Sequence, residues 1–250
     1  MKKRLLAIAF VLILSAMLIS PALAQGDYYF AVEREDVHVY WNADGTMSID
    51  YTWVFMNQPG AHVIDFVDVG MPNSYFNTYP PPPTMASPVG GVAAPIPAGT
   101  QDGTYAEVNG QRVSISSDYQ GSGSYGFSVD LGAYAIQPGQ RGTVHVYVGR
   151  IKNMIYPDDQ DQNYASAVFM PTYFGSQYVT GTTDILVTYH LPPGVGTEEP
   201  RWHTAPSGFP SEPATALDEE GRVTYSWNSP NANMYSKYEF GASFPRSYVP

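Results

Sequence analysis

Residues 37–55 read VHVYWNADGTMSIDYTWVF, and this segment carries the clearest structural signal in the chain. Val37, Val39 and Trp41 alternate with more polar residues, and a second alternating run follows at 49–55. Alternation at every second residue is typical of a β-strand with one buried face. The residues between the two runs, 42–45, read NADG and favour a tight turn. The segment therefore predicts a β-hairpin.

Composition extends this interpretation to the whole chain. The 250 residues include 23 glycines and 22 prolines, and only 14% are charged, which excludes a helical bundle or a coiled coil. Aromatic residues make up 14% of the chain, enough to build a hydrophobic core. Further alternating runs are separated by turns rich in glycine and proline. The sequence predicts an all-β fold.

The length of the chain favours two domains. An immunoglobulin-like sandwich takes about 100 residues, so we expect two tandem antiparallel β-sandwiches at 25–150 and 151–250. One larger β-sandwich is the alternative. Within the first domain, residues 79–103 contain a run of four prolines and several glycines. This composition favours polyproline II and open loop, and it predicts an insertion at a sandwich edge.

The N-terminus has the pattern of a secretory signal peptide. Three basic residues at 2–4 precede an apolar run at 5–19, and Ala22 and Ala24 are small residues at the positions that a signal peptidase requires. We expect residues 1–24 to be removed on export. The mature protein is then secreted, extracellular or at the cell surface, with a signal peptide of bacterial type.

Charge and motif searches exclude several classes of function. Loss of the three basic residues changes the net charge from −11 to −14, which excludes nucleic acid as a partner. Without cysteine there is neither disulfide nor thiolate chemistry. No G-x-S-x-G or H-E-x-x-H motif occurs, and the G-x-G-x-x-G at 121–126 leads into a strand pattern, which indicates a turn. The sequence predicts that the chain is not an enzyme.

A polar segment at 156–164 is the densest group of oxygen ligands. Asp158, Asp159, Asp161 and Asn163 supply hard donors at the alternating spacing with which a turn binds Ca²⁺. Tyr164 replaces the glycine that an EF-hand requires, so the segment is not an EF-hand. Two interpretations remain open: a calcium site that stiffens the domain junction, or a solvated acidic turn. No other cofactor is predicted.

Trp202 and His203 lie together in a long polar loop at 192–221. An exposed aromatic ring can stack on a sugar ring, so these two residues are a candidate ligand site. The same residue types also build sandwich cores, which is the interpretation we prefer for the tryptophans at 53 and 227.

Several segments resemble the exported region of bacterial membrane proteins of the DUF2207 class. The resemblance is carried by DGT at 44–46, GAHVIDFVDVG at 60–70, IQPG at 136–139, YPDD at 156–159 and YASAVF at 164–169. It implies a signal peptide and a β-rich ectodomain, followed by a transmembrane helix and a cytoplasmic portion. It implies no activity. The sequence given lacks that membrane helix, so membrane anchoring would use a segment absent from it.

Together these features predict an extracytoplasmic β-sandwich module without enzymatic activity, used for recognition or structure at the cell surface. A secreted protein that binds or modifies carbohydrate is one alternative. The other is a surface fibre, in which copies of the chain associate by strand exchange. The expected partners are a protein or polysaccharide ligand at the cell surface, or further copies of this chain.

Overall fold

A computed structural model describes residues 26–81 and 98–250. The predicted signal peptide, residues 1–24, lies outside the described residues, and so does most of the predicted insertion at 79–103. The described end of the insertion contacts the large sheet. There, Ala98 donates its N–H to Glu220 over 2.6 Å, and Arg222 donates to the carbonyl oxygen of Ala98 over 3.0 Å.

The described residues form strands and short turns, and they contain no α-helix. The strands are β1 Phe30–Trp41, β2 Met47–Asn57, β3 Phe66–Met71, β4 Thr104–Val108, β5 Gln111–Ser116, β6 Tyr125–Asp130, β7 Arg141–Ile151, β8 Ile155–Pro157, β9 Tyr164–Phe169, β10 Thr183–His190, β11 Arg201–Trp202, β12 Ala214–Leu217, β13 Val223–Ala232 and β14 Phe240–Pro245. Two 3-10 turns are at Gly132–Tyr134 and Arg246–Tyr248. The all-β prediction is confirmed.

The strands form one large open sheet and one small sheet. The large sheet has the order β12-β13-β10-β1-β2-β7-β4-β5-β6-β3, and the small sheet has the order β11-β14-β9-β8. We expected antiparallel pairing throughout, but β1 and β10 are parallel, from Arg34 beside Asp184 to Tyr40 beside His190. Strands from both predicted domains therefore share the large sheet. The domain boundary near residue 150 stays a prediction.

The predicted hairpin at 37–55 is present as β1 and β2, and its alternation is explained by burial. Val37, Val39 and Trp41 are fully buried on one face of β1, and Tyr51 and Trp53 are buried on the same face of β2. The rings of Tyr51 and Trp53 stack with centroids 4.3 Å apart. These side chains form the layer on which the small sheet packs.

Contacts between the two sheets close this core in a sandwich-like arrangement. Tyr189 of β10 donates its hydroxyl to the carbonyl oxygen of Phe240 in β14 over 2.8 Å. The rings of Trp227 and Phe240 lie 5.3 Å apart, and those of Tyr51 and Phe169 lie 6.3 Å apart. A buried tyrosine hydroxyl needs a hydrogen-bond partner, and the small sheet supplies one through its backbone.

A carboxyl side chain lies within this apolar layer. Glu35 of β1 is 1% exposed, and Trp53 donates its indole N–H to Glu35 Oε1 over 3.0 Å. Burial raises the pKa of Glu35 to about 8, because the charged carboxylate loses its hydration. The folded protein therefore holds a proton that the unfolded chain has already released at neutral pH.

We predict that replacing Glu35 changes how stability depends on pH. Because the folded pKa lies above the unfolded value of 4.5, this group's contribution is fully present below pH 4.5 and is lost as the pH rises to about 8. Relative to the Glu35→Gln variant, the natural protein should lose roughly 3 kcal/mol between pH 5 and pH 8. Urea unfolding at both pH values measures this difference.

The matched control for this experiment is Glu212→Gln, which changes an exposed glutamate. Its unfolding free energy should differ from that of the natural protein by the same small amount at both pH values. Parallel stability curves for the natural protein and the Glu35→Gln variant would show that the carboxyl does not hold a proton in the core.

Candidate functional site

An aromatic cleft of about 660 Å³ opens between the β3 end of the large sheet and the segment that follows β9. Ligand sites in proteins are commonly clefts of this size with mostly apolar walls. The aromatic side chains that line it are Tyr28, Phe30, Phe55, Phe66, Tyr119, Phe169, Tyr173, Phe174 and Tyr178. We refer to it below as the aromatic cleft.

Three phenylalanines form one wall of the aromatic cleft. The rings of Phe30 and Phe55, from β1 and β2, are edge to face at 5.5 Å, and Phe174 packs against both at 5.5 Å and 5.8 Å. Phe174 is fixed by its backbone N–H, which donates to the carbonyl oxygen of Met234 over 2.9 Å. The wall is thus built from two adjacent strands and one anchored loop.

Asp68 of β3 is the polar group with an unfilled hydrogen-bonding position in this cleft. Its Oδ2 accepts the backbone N–H of Gln120 over 3.1 Å, whereas Oδ1 is buried and accepts no hydrogen bond among the described residues. The hydroxyl of Ser128, the residue paired with Asp68 on β6, is near enough to favour the charged carboxylate without outweighing burial. Burial raises the pKa of the Asp68 carboxyl. A buried acceptor without a partner is costly, so a ligand that donates to Oδ1 would relieve that cost.

The ring of Tyr119 lies at the mouth of the aromatic cleft. The glycines at 121–126 leave the space that this ring occupies. A Cβ atom on Gly121 would lie 2.4 Å from the tyrosine ring, and one on Gly126 would lie 2.5 Å from it. The Tyr119 hydroxyl also accepts the backbone N–H of Gly123 over 3.2 Å. The predicted glycine-rich turn is present, and it leads directly into β6, which begins at Tyr125.

A hydrogen bond connects the two sides of the cleft mouth. Ser122 donates its hydroxyl to the Tyr173 hydroxyl oxygen over 3.0 Å. This bond lowers the pKa of Tyr173, and the ammonium of Lys237, 5.2 Å from the centre of the tyrosine ring, acts in the same direction. Both residues of the bond are on loops, and the bond is exposed to solvent.

A second polar group lies on the outward face of the large sheet. Asp218 Oδ2 is 2.8 Å from His190 Nδ1, and His190 Nε2 is 2.9 Å from His38 Nδ1. The ring of Tyr40 stacks on His190 at 4.2 Å. Burial lowers the pKa of His190, so the neutral imidazole is favoured. With its Nδ1–H donated to Asp218, its Nε2 can accept a hydrogen bond from His38.

A third histidine lies two strands away on the same face. His145 Nε2 is 2.6 Å from Asp50 Oδ1, and its Nδ1 is 3.4 Å from Glu107 Oε2. The hydrogen bond to Asp50 raises the pKa of His145. Among residues 26–81 and 98–250, no group of three or more histidine and acidic side chains is arranged to hold a metal ion.

The predicted calcium ligands mostly hydrogen-bond to their own turn. Asp158 Oδ1 accepts the backbone N–H groups of Gln160 and Asp161, and Asp161 Oδ1 accepts that of Asn163. Asp161 Oδ2 forms an ion pair with Arg201 at 3.2 Å. Asp159 is exposed. The calcium site stays a prediction.

The predicted ligand residues lie on and beside the short strand β11. Trp202 is 41% exposed and packs edge to face on Tyr225. His203 Nε2 is 2.8 Å from the hydroxyl of Ser243, which donates to Asp158 Oδ2 over 2.5 Å. His203 and Asp158, which the sequence analysis assigned to separate sites, are thus joined by hydrogen bonds through the buried Ser243. A role for Trp202 and His203 in binding stays a prediction.

Sequence reasoning missed the aromatic cleft and both histidine groups. His38, Tyr40, His145 and Tyr147 alternate with core residues, which placed them on the opposite face of the sheet, where Tyr40 and Tyr147 are nevertheless buried. Nothing local indicated that His38 would lie beside His190, 152 positions away. Likewise, no local pattern connects Asp68 with Tyr119.

Comparisons with known proteins give matches among solved structures alone. No family model and no curated protein matches the chain. Among solved structures, it is similar to an M1 zinc metallopeptidase from Deinococcus radiodurans, with 12% identity, 87% of this chain and 42% of that chain covered, and a TM-score of 0.45. A mutant of that enzyme bound to a Tyr-ser-ala substrate has 12% identity, with 87% of this chain and 43% of that chain covered and a TM-score of 0.45. A two-domain M1 zinc metallopeptidase mutant bound to L-arginine has 12% identity, with 89% of this chain and 44% of that chain covered and a TM-score of 0.42.

These comparisons contradict the functional prediction made from the sequence. The matched structures are zinc metallopeptidases, and they do not support a non-enzymatic module for recognition or structure at the cell surface, nor its carbohydrate and fibre alternatives. The chain spans less than half the length of each matched structure. At these TM-scores the likeness assigns no activity to this chain, and its sequence lacks an H-E-x-x-H motif.

No helix among the described residues is both long enough and apolar enough to cross a membrane.

The contact between Tyr119 and the glycines gives a testable prediction. In Gly126→Ala, the new Cβ would lie 2.5 Å from the Tyr119 ring and 2.6 Å from the carbonyl oxygen of Val69. Because that oxygen belongs to the backbone, we expect a loss of about 1–3 kcal/mol of unfolding free energy. Gly70→Ala is the matched control, since Gly70 is paired with Gly126 and its Cβ would meet only the Tyr119 hydroxyl, at 3.3 Å.

The control variant should change the unfolding free energy by less than about 1 kcal/mol, measured by urea unfolding. Equal losses in both variants would mean that Tyr119 does not pack in this position.

Proposed function

We propose that the aromatic cleft binds a ligand that has an apolar body and a hydrogen-bond donor. The observation that carries this proposal is a cleft of about 660 Å³, lined by aromatic rings, with a carboxylate oxygen of Asp68 buried and unpartnered beside it. Sites for small ligands combine apolar walls with a few well-placed polar groups in this way.

The apolar wall supplies most of the expected binding free energy. A ligand group about as large as a phenylalanine side chain would pack on Phe30, Phe55 and Phe174. Its burial would contribute about 2–3 kcal/mol. Edge-to-face contacts with the three rings add to this and favour an aromatic or branched aliphatic group.

The polar groups select the charge of the ligand. Asp68 and Glu239 both line the cleft, and the whole chain carries a net charge of −11. A carboxylate that accepts from a cationic donor forms a stronger hydrogen bond than one that accepts from a neutral donor. An ammonium or guanidinium group is therefore the donor that suits Asp68 best, and acidic ligands are disfavoured.

The chemistry of the lining residues favours binding over catalysis. Ser122 and Thr172 line the aromatic cleft, but their hydroxyls bond to the hydroxyls of Tyr173 and Tyr51. Among the described residues neither is hydrogen-bonded to a cleft carboxylate, so no nucleophile is paired with a general base there. The prediction that this chain is not itself an enzyme is part of the proposal.

Three further sequence predictions remain part of the proposal. They are export directed by residues 1–24, anchoring through a membrane segment of the kind the DUF2207 class carries, and calcium binding near Asp158. None of them alters the cleft, because they concern other parts of the chain.

We predict that Asp68→Asn weakens binding of a dansyl alkylamine by about tenfold or more, because a hydrogen bond to a charged group contributes about 1.5–3 kcal/mol. Dansyl fluorescence titration measures the affinity. A dansyl alkyl methyl ether of equal length, which has no ammonium group, should bind the natural protein and the variant equally. Amine binding should also fall as the pH is lowered through the raised pKa of Asp68.

Asp118→Asn is the matched control, because this aspartate precedes Tyr119 in the same loop but is exposed and does not line the cleft. Its affinity for the amine should equal that of the natural protein. If neither probe binds, or if Asp68→Asn and Asp118→Asn behave alike, the proposed function is wrong.

A further inference from the structure

We infer that the occupant of the aromatic cleft is an extended polypeptide segment with basic residues, which adds to the large sheet as a strand beside β3. This inference rests on the proposed function, because it identifies the class of ligand for the same cleft. It is carried by the strand edge at the cleft, by the direction of its backbone groups and by its charge.

β3 is the last strand of the large sheet. Phe66–Met71 pairs with β6 on one side, and no described strand pairs with its other side. A free strand edge presents unpaired N–H and C=O groups, and it is a template for another extended chain. Proteins often protect such edges with lysine or proline, and neither occurs between Phe66 and Met71.

The hydrogen bonds of β3 show which backbone groups are free. Leu131 donates its N–H to the carbonyl oxygen of Asp65, and the register continues with Val67 beside Val129. Bonding residues alternate along an antiparallel pair. The N–H and C=O groups of Phe66, Asp68 and Gly70 therefore point away from β6.

This free edge faces the aromatic cleft. Val67 and Met71, whose side chains are on the buried face of β3, both line the cleft, and so do Asp68 and Gly70 from the opposite face. Side chains on both faces of one strand can line one cleft when the cleft lies along the strand's edge. The free backbone groups are thus directed at the site that binds the apolar ligand.

The opposite side of the cleft is also formed by an unpaired stretch of strand edge among the described residues. β8 pairs with β9 only as far as Ala167, and the next two residues of β9, Val168 and Phe169, line the cleft. The cleft therefore lies between open edges of the large and the small sheet. An inserted strand would have a backbone partner in β3 and an apolar wall beside it.

Charge favours a basic peptide over a second copy of this chain. If two β3 strands paired about their middle, the Asp68 carboxylates of the two copies would come close, and like charges in that position are destabilising. A lysine or arginine on the added strand would instead pair with Asp68. Side chains alternate along a strand, so we expect apolar residues alternating with basic ones.

The test uses a fluorescein-labelled six-residue peptide in which phenylalanine or valine alternates with lysine, and fluorescence anisotropy with the full mature chain. We expect saturable binding. A peptide of the same sequence, methylated on the three backbone nitrogens that would pair with β3, should bind about tenfold more weakly or worse. Equal binding of the two peptides would overturn the inference.

Hydrogen exchange provides a second, independent readout. The amides of Phe66, Asp68 and Gly70 should exchange rapidly in the free protein and become protected when the peptide binds. Protection in a free monomer would mean that another part of this chain covers the edge. Protection that appears only as the protein dimerises would mean that a second copy covers it, and either result overturns the inference.

A proline at position 70 tests the same edge by mutation. Because the N–H of Gly70 points away from β6, Gly70→Pro removes no bond of the sheet, and proline is tolerated on edge strands. We expect this variant to lose peptide affinity by about tenfold or more, while its urea unfolding shows that the chain still folds; unchanged affinity in the folded variant would contradict the inference. If the natural protein binds the amine but not the peptide, the inference fails alone. If it binds neither, the proposed function fails too.

Discussion

The parallel pairing of β1 with β10 is the constraint on which the rest of the structure depends. It joins residues 34–40 to residues 184–190 and places β1 in the interior of the large sheet, between β2 and β10. Once β1 is central, one of its faces must be buried, and Val37 and Val39 meet that requirement. Its other face brings His38 beside His190. The core and the outward polar groups are thus two consequences of one strand pairing.

Local features of the fold could be predicted because they depend on neighbouring residues. The hairpin of β1 and β2 follows from alternation with period two, and its turn at 42–45 ends on Gly45, a residue that accepts the positive φ of 79° found there. The parallel pair could not be predicted, because no turn connects its strands and both alternate like antiparallel ones. Antiparallel pairing throughout was therefore expected, and it is wrong for this pair.

The candidate site was harder to predict because its parts come from distant segments. The glycines at 121–126 gave a visible signal, yet their effect, space for the ring of Tyr119, depends on a packing contact that no spacing rule contains. Asp158 and His203 were both singled out from the sequence, but as parts of different sites. They are linked by Ser243, which lies in a strand between two apolar neighbours and gave no signal of its own.

Two unfavourable features of this protein occur together, and their coincidence is informative. An open strand edge risks aggregation, and a buried carboxylate oxygen without a partner costs free energy. Asp68 combines them, since one of its two carboxylate oxygens, Oδ1, lacks a donor and its backbone groups point away from β6. Separately, each feature would be a defect. Together in one residue, in a cleft that three phenylalanine rings also line, they form a site that is complementary in charge and hydrogen bonding to a basic extended chain. The negative charge that would repel a second copy of β3 would attract that chain.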